Sequence, residues 1–431
     1  MATTSTTRRA GDERKGRGAG GRTGPREAWS FPLLVFAVHW LLTQVPASLA
    51  FLLGTPNAPS PPYGQMPPSL TGLARVVVEP MRQWDGLWYR LLAVDGYAGR
   101  TASAKAAFWP LYPWLMGAGS RLTGLAPETV GYVVSNVAFA LALVVVYRLV
   151  ALDFSEPAAR GTLWALALFP TAFFFTAVYT ESLFLALAAG ALWAGRTGRW
   201  WLAGPLGLLA ALTRSSGVFL VVPFALLVWE RARWDLRRWL PAAVPLLMPL
   251  LGPVLFGWHL LQTQGNPKAF VDVQAQWNRY SAMPWTTLRC AVEGCFALGG
   301  EPDGARWDWA PALLREPALV TDHAWRLAVA NSDTLELVTT VLFLLLALAG
   351  LRLLPWWQSG YVLPPLLVPL FSPSQVHALM SMPRFVLPLF PLFTVLAVAL
   401  ARTRLARPAA VLSGVLLVLL TMQFALWYWV S

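Results

Sequence analysis

Long runs of apolar residues, separated by short polar segments, dominate the pattern of the chain. The first run covers residues 31–54 and is followed by a Pro-rich, aromatic segment and then by further apolar runs. A helix of about 20 apolar residues crosses the roughly 30 Å hydrocarbon layer of a bilayer. The pattern therefore predicts an all-α polytopic membrane protein with about 11 transmembrane helices. The ten further spans are predicted at residues 130–151, 162–179, 181–195, 200–213, 215–229, 241–262, 335–353, 356–371, 385–401 and 408–430.

Two segments outside these spans leave alternatives open. Residues 108–125 are apolar but contain Pro110 and Pro113, which favours a helix on the membrane surface. If this segment crossed the bilayer, the orientation of every later span would reverse. For the first apolar run, a cleavable signal peptide ending near Ala50 is the alternative to a span, although the run is long for such a peptide.

The predicted organisation is a short tail followed by one membrane domain. Residues 1–29 are polar and basic with no apolar period, so we expect a disordered cytoplasmic tail. Residues 30–431 form the membrane domain, with outer loops at 55–129 and 263–333.

Basic residues predict the orientation, because short cytoplasmic loops are enriched in Arg and Lys. The loops predicted to lie inside hold twelve arginines, whereas the short outer loops hold only Arg214 and Arg384. We therefore expect a multi-pass protein of the cell membrane, with the N-terminus in the cytoplasm and the C-terminus outside. The twelve are Arg148, Arg160, Arg196, Arg199, Arg231, Arg233, Arg237, Arg238, Arg352, Arg402, Arg404 and Arg407.

Composition supports the membrane assignment and excludes a nucleic-acid-binding protein. The chain is 56% hydrophobic and 13% charged, whereas soluble proteins carry about 25% charged residues. The net charge is +12, but the basic residues are scattered between apolar runs and do not form a solvated basic face. Both cysteines, Cys290 and Cys295, lie in the long outer loop, where an oxidising exterior would favour a disulfide over two free thiols. A zinc site on this pair has too few ligands.

The first outer loop contains the candidate catalytic residue. If the segment around Trp84 is helical, Met81, Trp84, Trp88 and Leu91 form one apolar stripe, and Arg82, Asp85 and Tyr89 share another face. This arrangement holds a carboxylate at the lipid surface, where Asp85 would act as a catalytic base for sugar transfer from a lipid carrier. The alternative is that Asp85 only pairs with Arg82.

Other polar residues are predicted on the same side of the membrane. They are Asp95, Glu181, Arg214, His377 and Arg384. Charged residues at membrane depth usually face a cavity or a partner, so their convergence predicts a single site. The alternative is that turns between spans need polar residues and that Glu181 and Arg214 simply pair with each other.

Sugar transfer from a polyprenyl phosphate requires a base, a cation for the departing phosphate and a groove for the lipid. Asp85 provides the base, and Arg214 or Arg384 the cation, because a guanidinium binds two phosphate oxygens at once. No nucleotide cofactor is expected, since the chain lacks a Gly-rich phosphate-binding motif. No metal site is expected either, because the outer loops lack an Asp-x-Asp pair, although metal dependence stays open.

Four motifs in order resemble the GPI mannosyltransferase II (PIG-V-like) family of GT-C membrane glycosyltransferases, over about residues 30–401. They are Trp84-Asp85-Gly86-x-Trp88-Tyr89 with Gly96-Tyr97 and Ala107-Phe108-Trp109-Pro110-Leu111-Tyr112-Pro113; Phe169-Pro170-x-x-Phe173 with Tyr179-Thr180-Glu181-Ser182; Leu212-Thr213-Arg214-x-x-Gly217; and Pro383-Arg384-Phe385 with Leu387-Pro388 and Pro391. The chain departs from the family pattern at Trp109, where Phe is expected, and in its basic tail.

The resemblance implies a GT-C bundle, an extracytoplasmic active site, a polyprenyl- or dolichyl-phosphate mannose donor and an inverting mechanism. It places the family's first-loop acid at Asp85 and two further motif residues at Glu181 and Arg214. We expect substrate-binding roles for Arg214, Arg384, Glu181, Asp95, Tyr89, His377 and Trp84. The acceptor, a glycolipid or glycan, is not inherited from the family name, because an Arg-rich, Lys-poor composition suggests a bacterium, and bacteria lack GPI anchors.

Two other functions remain as alternatives. A GT-C enzyme could use another sugar or a protein acceptor. A multi-span lipid or sugar transporter is also conceivable, but such folds usually show inverted repeats and polar residues at the membrane midplane. The chain shows no clear internal repeat, and its polar residues are predicted near one surface.

Overall fold

The computed structural model describes residues 27–57, 66–99, 102–233, 235–293 and 332–430. Within these ranges the regular structure is helical, apart from an isolated antiparallel bridge between Arg279 and Ser374. The expected all-helical fold is therefore confirmed. The α-helices are α1 (Glu27–Leu53), α2 (Gly72–Val77), α3 (Asp85–Asp95), α4 (Ala102–Lys105), α5 (Leu111–Thr123), α6 (Pro127–Asp153), α7 (Glu156–Ala167), α8 (Glu181–Arg196), α9 (Trp200–Thr213), α10 (Val221–Ala232), α11 (Leu236–Leu247), α12 (Leu251–Gln264), α13 (Ala269–Asp272), α14 (Pro284–Glu293), α15 (Ser332–Leu353), α16 (Trp356–Leu367), α17 (Met382–Phe385), α18 (Phe390–Ala401) and α19 (Ala406–Ala425).

Six helical segments in the described ranges are long and apolar enough to cross a membrane, so the chain is a multi-pass membrane protein. They are Trp29–Leu53, Pro127–Asp153, Ser215–Ala232, Trp239–Gln264, Ser332–Leu353 and Ala406–Ala425. The other five predicted spans fall on shorter helices, including α9 and α18, so the count of eleven stays a prediction. Helix α5 has 13 residues and is not among the six either, so its predicted position on the membrane surface stays a prediction.

The span predicted over residues 162–179 is not one continuous helix, and whether this segment crosses the membrane stays a prediction. Helix α7 ends at Ala167, and a short 3₁₀ helix, Ala172–Phe175, follows it. Pro170 cannot donate a backbone hydrogen bond, and residues 171–180 are all buried in the bundle. Irregular backbone at membrane depth is tolerated when protein covers it. This segment leads directly to Glu181 at the start of α8.

The stripe predicted around Trp84 is also wrong, because α3 begins only at Asp85. Met81 belongs to a preceding 3₁₀ turn, and Arg82 and Trp84 lie before the helix. Arg82 binds Glu128 at 2.6 Å and Glu79 at 3.3 Å. The alternative in which Asp85 pairs with Arg82 is therefore excluded.

Ion pairs identify two ends of the bundle. At one end, Arg214 at the end of α9 contacts Glu181 at the start of α8. We call this the site end. At the other end, which we call the distal end, Arg196 at the end of α8 contacts Asp153 at the end of α6 at 2.8 Å. Arg196, a predicted inner arginine, therefore lies at the other end of the bundle from Arg214. Which end faces the cytoplasm stays a prediction.

The remaining predictions about domain organisation fall partly outside the described residues. Helix α1 begins at Glu27, so the last residues of the predicted 1–29 tail are helical, and residues 1–26 are outside the described ranges. Cys290 is buried in α14, whereas Cys295 is outside the described ranges, so the disulfide stays a prediction.

Candidate active site

A cavity of about 480 Å³ at the site end combines charged groups with apolar walls. This volume is in the range of small-molecule sites. The polar groups that line it include Asp85, Tyr89, Thr180, Arg214, Arg279 and Arg384. The apolar walls include Phe108, Trp109, Phe184, Phe219, Phe270 and Leu389.

Asp85 reaches the cavity because the backbone turns sharply before it. Trp84 has φ 55° and ψ −116°, a conformation that is unfavourable for a bulky residue and costs about 1–3 kcal/mol. Two hydrogen bonds fix the turn: the Tyr179 hydroxyl donates to the Gln83 carbonyl at 3.0 Å and accepts from the Asp85 N–H at 3.1 Å. The buried segment before α8 thus holds Asp85 at the first position of α3.

Trp84 supports this turn from behind. Its indole ring packs against Trp427 and Trp429, with ring centroids 5.8 and 5.0 Å apart. Trp84 is not among the residues that line the cavity. Contact with substrate by Trp84 stays a prediction, and the contacts in the structure are those of a packing residue.

Two carboxylates and two guanidinium groups form a connected ion cluster beside the cavity. Arg384 Nη1 lies 2.7 Å from Asp85 Oδ2, and Arg384 Nε lies 3.1 Å from Glu181 Oε1. Arg214 Nη1 lies 2.7 Å from the same Glu181 oxygen. The side chain of Glu181 is fully buried, whereas that of Asp85 is 19% exposed. The predicted convergence of these four residues is therefore observed, and Glu181 and Arg214 do pair.

Burial and the charges of the cluster together shift the pKa of Arg384 and of the neighbouring Tyr89. Burial lowers the pKa of Arg384, but Glu181 and Asp85 outweigh this effect and hold the pKa well above its ordinary value. Burial raises the pKa of Tyr89, and Glu181 and Asp85 raise it further. Tyr89 therefore keeps its phenolic proton, and its oxygen lies 3.4 Å from the hydroxyl of Thr180.

Arg279 is a further cavity residue that the sequence analysis missed. Its guanidinium donates to the backbone carbonyls of Ser372 at 2.8 Å and Met380 at 3.2 Å. Among the described residues, it forms no ion pair with a carboxylate. Burial lowers the pKa of Arg279, which Glu336 partly offsets. Arg279 and Arg214 both lie against the ring of Phe385, at 5.9 and 5.6 Å.

A visible signal could have indicated Arg279. It lies between Trp277 and Tyr280 in the long outer loop, and Arg beside aromatic residues is typical of a binding segment.

Besides Trp84 and Glu181, two further predicted site residues, Asp95 and His377, do not line the cavity. Asp95 is exposed at the far end of α3, and His377 Nδ1 bonds Asp333 Oδ1 at 2.7 Å. Substrate-binding roles for both stay predictions. His377 instead joins Asp333 and Glu336 in a cluster whose ligand-type atoms all lie within 4.8 Å of one another. Sequence inspection missed this cluster because a long stretch of chain separates His377 from the two acids.

Comparisons with known proteins bear on this geometry. The family model described as Mannosyltransferase (PIG-V) matches residues 28–236. No curated protein matches the chain. Two crystal structures of ArnT from Cupriavidus metallidurans are similar in fold at 15% identity. The structure bound to undecaprenyl phosphate aligns with 88% of this chain and 62% of its own, with a TM-score of 0.49, so this chain spans less than two thirds of its length. The apo structure aligns with 91% and 76%, with a TM-score of 0.48.

The family match covers three of the four motifs, including those that hold Asp85, Glu181 and Arg214, whereas Arg384 lies beyond it. The structure nevertheless brings Arg384 into contact with both acids. Nearly half of the chain, residues 28–236, thus matches the PIG-V mannosyltransferase family, which confirms the resemblance that the motifs predict.

Proposed function

We propose that the chain is a GT-C-type integral membrane mannosyltransferase. It transfers mannose from a polyprenyl-phosphate carrier to a hydroxyl of an extracytoplasmic glycolipid or glycan, with inversion at the anomeric carbon. Asp85 acts as the general base. The mannosyltransferase family match supports the activity, and the residues around one cavity support the chemistry.

One observation carries the proposal: an acidic residue and an excess of guanidinium groups share this cavity. Asp85, Arg214, Arg279 and Arg384 line it, and Glu181 lies directly behind two of the arginines. Three cations against two carboxylates leave an excess of one positive charge. A phosphate ester would balance this charge, and guanidinium groups match the geometry of its oxygens.

The proposed step transfers one proton and exchanges one C–O bond for another. The acceptor hydroxyl oxygen attacks the anomeric carbon of mannose while its proton passes to the Asp85 carboxylate. The bond between the anomeric carbon and the phosphate oxygen breaks, and polyprenyl phosphate leaves with the electron pair. Arg384 orients Asp85 through one carboxylate oxygen, Oδ2. No hydrogen bond from the described residues engages the other oxygen, which suits it to receive the proton.

The three arginines differ in how far their charge is already compensated. Arg384 binds two carboxylates and Arg214 binds one, whereas Arg279 donates to two backbone carbonyls and forms no ion pair with a carboxylate among the described residues. We therefore assign the phosphate to the space beside Phe385, which both Arg214 and Arg279 approach. Arg384 then positions the base. The aromatic and aliphatic walls of the cavity would accept the first isoprene units of the carrier, because apolar surface gains from leaving water.

The test compares two isosteric Asp-to-Asn variants. Asp85→Asn keeps the shape and removes the base, so we expect the rate of mannose transfer to fall by about 10²–10⁴-fold, the usual contribution of a general base. Asp153→Asn, at the distal end, is the control and should transfer mannose at the wild-type rate. The assay incubates purified protein with radiolabelled polyprenyl-phosphate mannose and a membrane lipid extract and identifies the labelled product.

Two outcomes would contradict the proposal. If Asp85→Asn transfers mannose nearly as fast as the wild type, Asp85 is not the base. If reconstituted vesicles take up the labelled compound without forming a glycoside, the protein is a transporter.

A further inference from the structure

Three side chains with metal-ligating atoms meet at the start of α15, outside the cavity. Asp333 and Glu336 lie three residues apart and so share one face of the helix. His377, from the segment between α16 and α17, completes the group, and one ligand-type atom from each residue lies within 4.8 Å of the others. The donor set is one imidazole nitrogen and two carboxylate oxygens.

Glu336 shows that the protein contacts alone do not satisfy this group. Its side chain is 1% exposed. One oxygen, Oε1, accepts the N–H of Ser381 at 3.0 Å. The other, Oε2, is buried and has no hydrogen-bond partner, and Glu336 forms no ion pair with any residue in the described ranges. A buried carboxylate is costly unless a cation or a donor compensates it. His377 bonds Asp333 through Nδ1, and Glu336 Oε2 remains without a hydrogen-bond partner.

We propose that Asp333, Glu336 and His377 bind a divalent transition-metal ion, best fitted by Zn²⁺. Zinc prefers imidazole nitrogen and carboxylate oxygen, and three protein ligands plus one water complete its tetrahedral coordination. The metal replaces the proton shared by His377 and Asp333 and gives Glu336 Oε2 its missing partner. This proposal does not depend on the mannosyltransferase activity.

The position of the cluster suggests what the ion does. Glu336 holds the backbone of Ser381, a non-glycine residue with φ 69°, which costs energy unless contacts fix it. Arg384 follows three residues later and contacts Asp85. A metal that joins His377 to α15 would therefore clamp the segment that carries Arg384. We assign the ion the role of fixing this segment against the start of α15, with water in its fourth coordination position.

The test measures metal binding and stability instead of sugar transfer. The full-length protein, without a histidine tag, is purified in detergent, dialysed against EDTA and titrated with ZnCl₂. Bound zinc is counted by mass spectrometry after gel filtration, and thermal unfolding is followed in parallel. We expect about one tightly bound Zn²⁺ per chain and a higher Tm with zinc, because a ligand that binds the folded state stabilises it.

Variants distinguish this site from other zinc binding. Asp333→Asn changes a carboxylate that is 63% exposed, so this variant should fold like the wild type. Glu336→Gln keeps the shape of the side chain. Both should weaken zinc binding by at least about tenfold. His259→Gln, which changes a histidine that packs against Tyr97 and Trp114, should bind zinc as the wild type does.

Three results would overturn the proposal. The wild type could bind no zinc and show no change in Tm. Asp333→Asn and Glu336→Gln could bind zinc as tightly as the wild type, which would place the ion elsewhere. Glu336→Gln could instead raise the Tm while zinc has no effect on either protein, which would show that the buried carboxyl group of Glu336 is destabilising and binds no metal.

Discussion

Charged side chains gather at both ends of the helix bundle, but their surroundings differ. At the distal end, Arg196 is 35% exposed where it pairs with Asp153, and Arg199, Arg352 and Arg402 are exposed. At the site end, the side chain of Arg384 is only 8% exposed and its two carboxylate partners come from distant parts of the chain. These distal arginines are solvated like those of interfacial loops, although Asp153 itself is only 4% exposed, whereas Arg214 and Arg384 at the site end are both enclosed.

The difference indicates which charges serve chemistry. Exposed ion pairs contribute about 0–1 kcal/mol, and basic residues in short loops have a sufficient explanation in topology. Enclosed ions must overcome the cost of leaving water, and hydrophobic residues would often stabilise the fold as well. The cluster at the site end also borders a cavity, and Arg279, which forms no ion pair with a carboxylate among the described residues, lines the same cavity. The proposed binding function would account for these features.

The largest effect that separates the two ends is expected for Arg384→Gln. This change leaves Asp85 and Glu181 without their shared partner, although Arg214 still contacts Glu181. Breaking a buried ion pair from one side costs about 3–5 kcal/mol, so the free energy of unfolding should fall by that amount. Denaturant unfolding in detergent, followed by tryptophan fluorescence, measures it.

The isosteric Asp85→Asn variant is the control for this experiment, because it removes a charge from the same cluster while Arg384 keeps Glu181. It should lose less stability than Arg384→Gln although it loses more activity. Equal stability of Arg384→Gln and the wild type would mean that the ions at the site end are as well solvated as those at the distal end, and the comparison would fail.

A smaller effect, confined to the binding of the polyprenyl-phosphate sugar donor, is expected for Arg279→Lys. Lysine keeps the charge but not the planar fork, so the hydrogen bonds to a phosphate are reduced. A hydrogen bond to a charged group contributes about 1.5–3 kcal/mol, which corresponds to roughly a tenfold to 150-fold weaker interaction. Inhibition by polyprenyl phosphate, the product, measures the affinity without a catalytic step.

Separate KM values for the sugar donor and for the acceptor test the assignment of Arg279 to the phosphate. If it binds phosphate, its substitution raises the KM for the donor and the inhibition constant of polyprenyl phosphate, whereas the KM for the acceptor is unchanged. If it only holds the loop at Ser372 and Met380, both substrates are affected alike and the Tm falls.

The elements that the sequence predicted well depend on local patterns. Apolar runs predict the long helices, and charge next to an apolar run identifies the motif residues, which are Asp85, Glu181, Arg214 and Arg384. Local periodicity failed at Trp84, because hydrogen bonds from Tyr179, distant along the chain, impose a turn there that outweighs helical spacing.

Contacts between distant segments account for what the sequence could not predict. Arg279 enters the site because the bridge to Ser374 carries its loop beside the cavity. His377 meets Glu336 only after α15 and α16 pack together. A single amino-acid sequence does not show which distant polar residues approach one another, so such pairs are identified only from the folded structure.

The smallest effect is expected at the distal end, for Arg196→Gln. Removing this guanidinium takes one partner from Asp153, but Gln358 still donates to the other carboxylate oxygen at 3.2 Å. Arg196 is 35% exposed and the buried Asp153 keeps Gln358, so the free energy of unfolding should fall by only about 1–2 kcal/mol and mannose transfer should not change. The same denaturant unfolding and transfer assays measure both. If Arg196→Gln were as destabilising as Arg384→Gln, enclosure would not distinguish the two ends, and the assignment of the enclosed ions to a binding site would lose its physical basis.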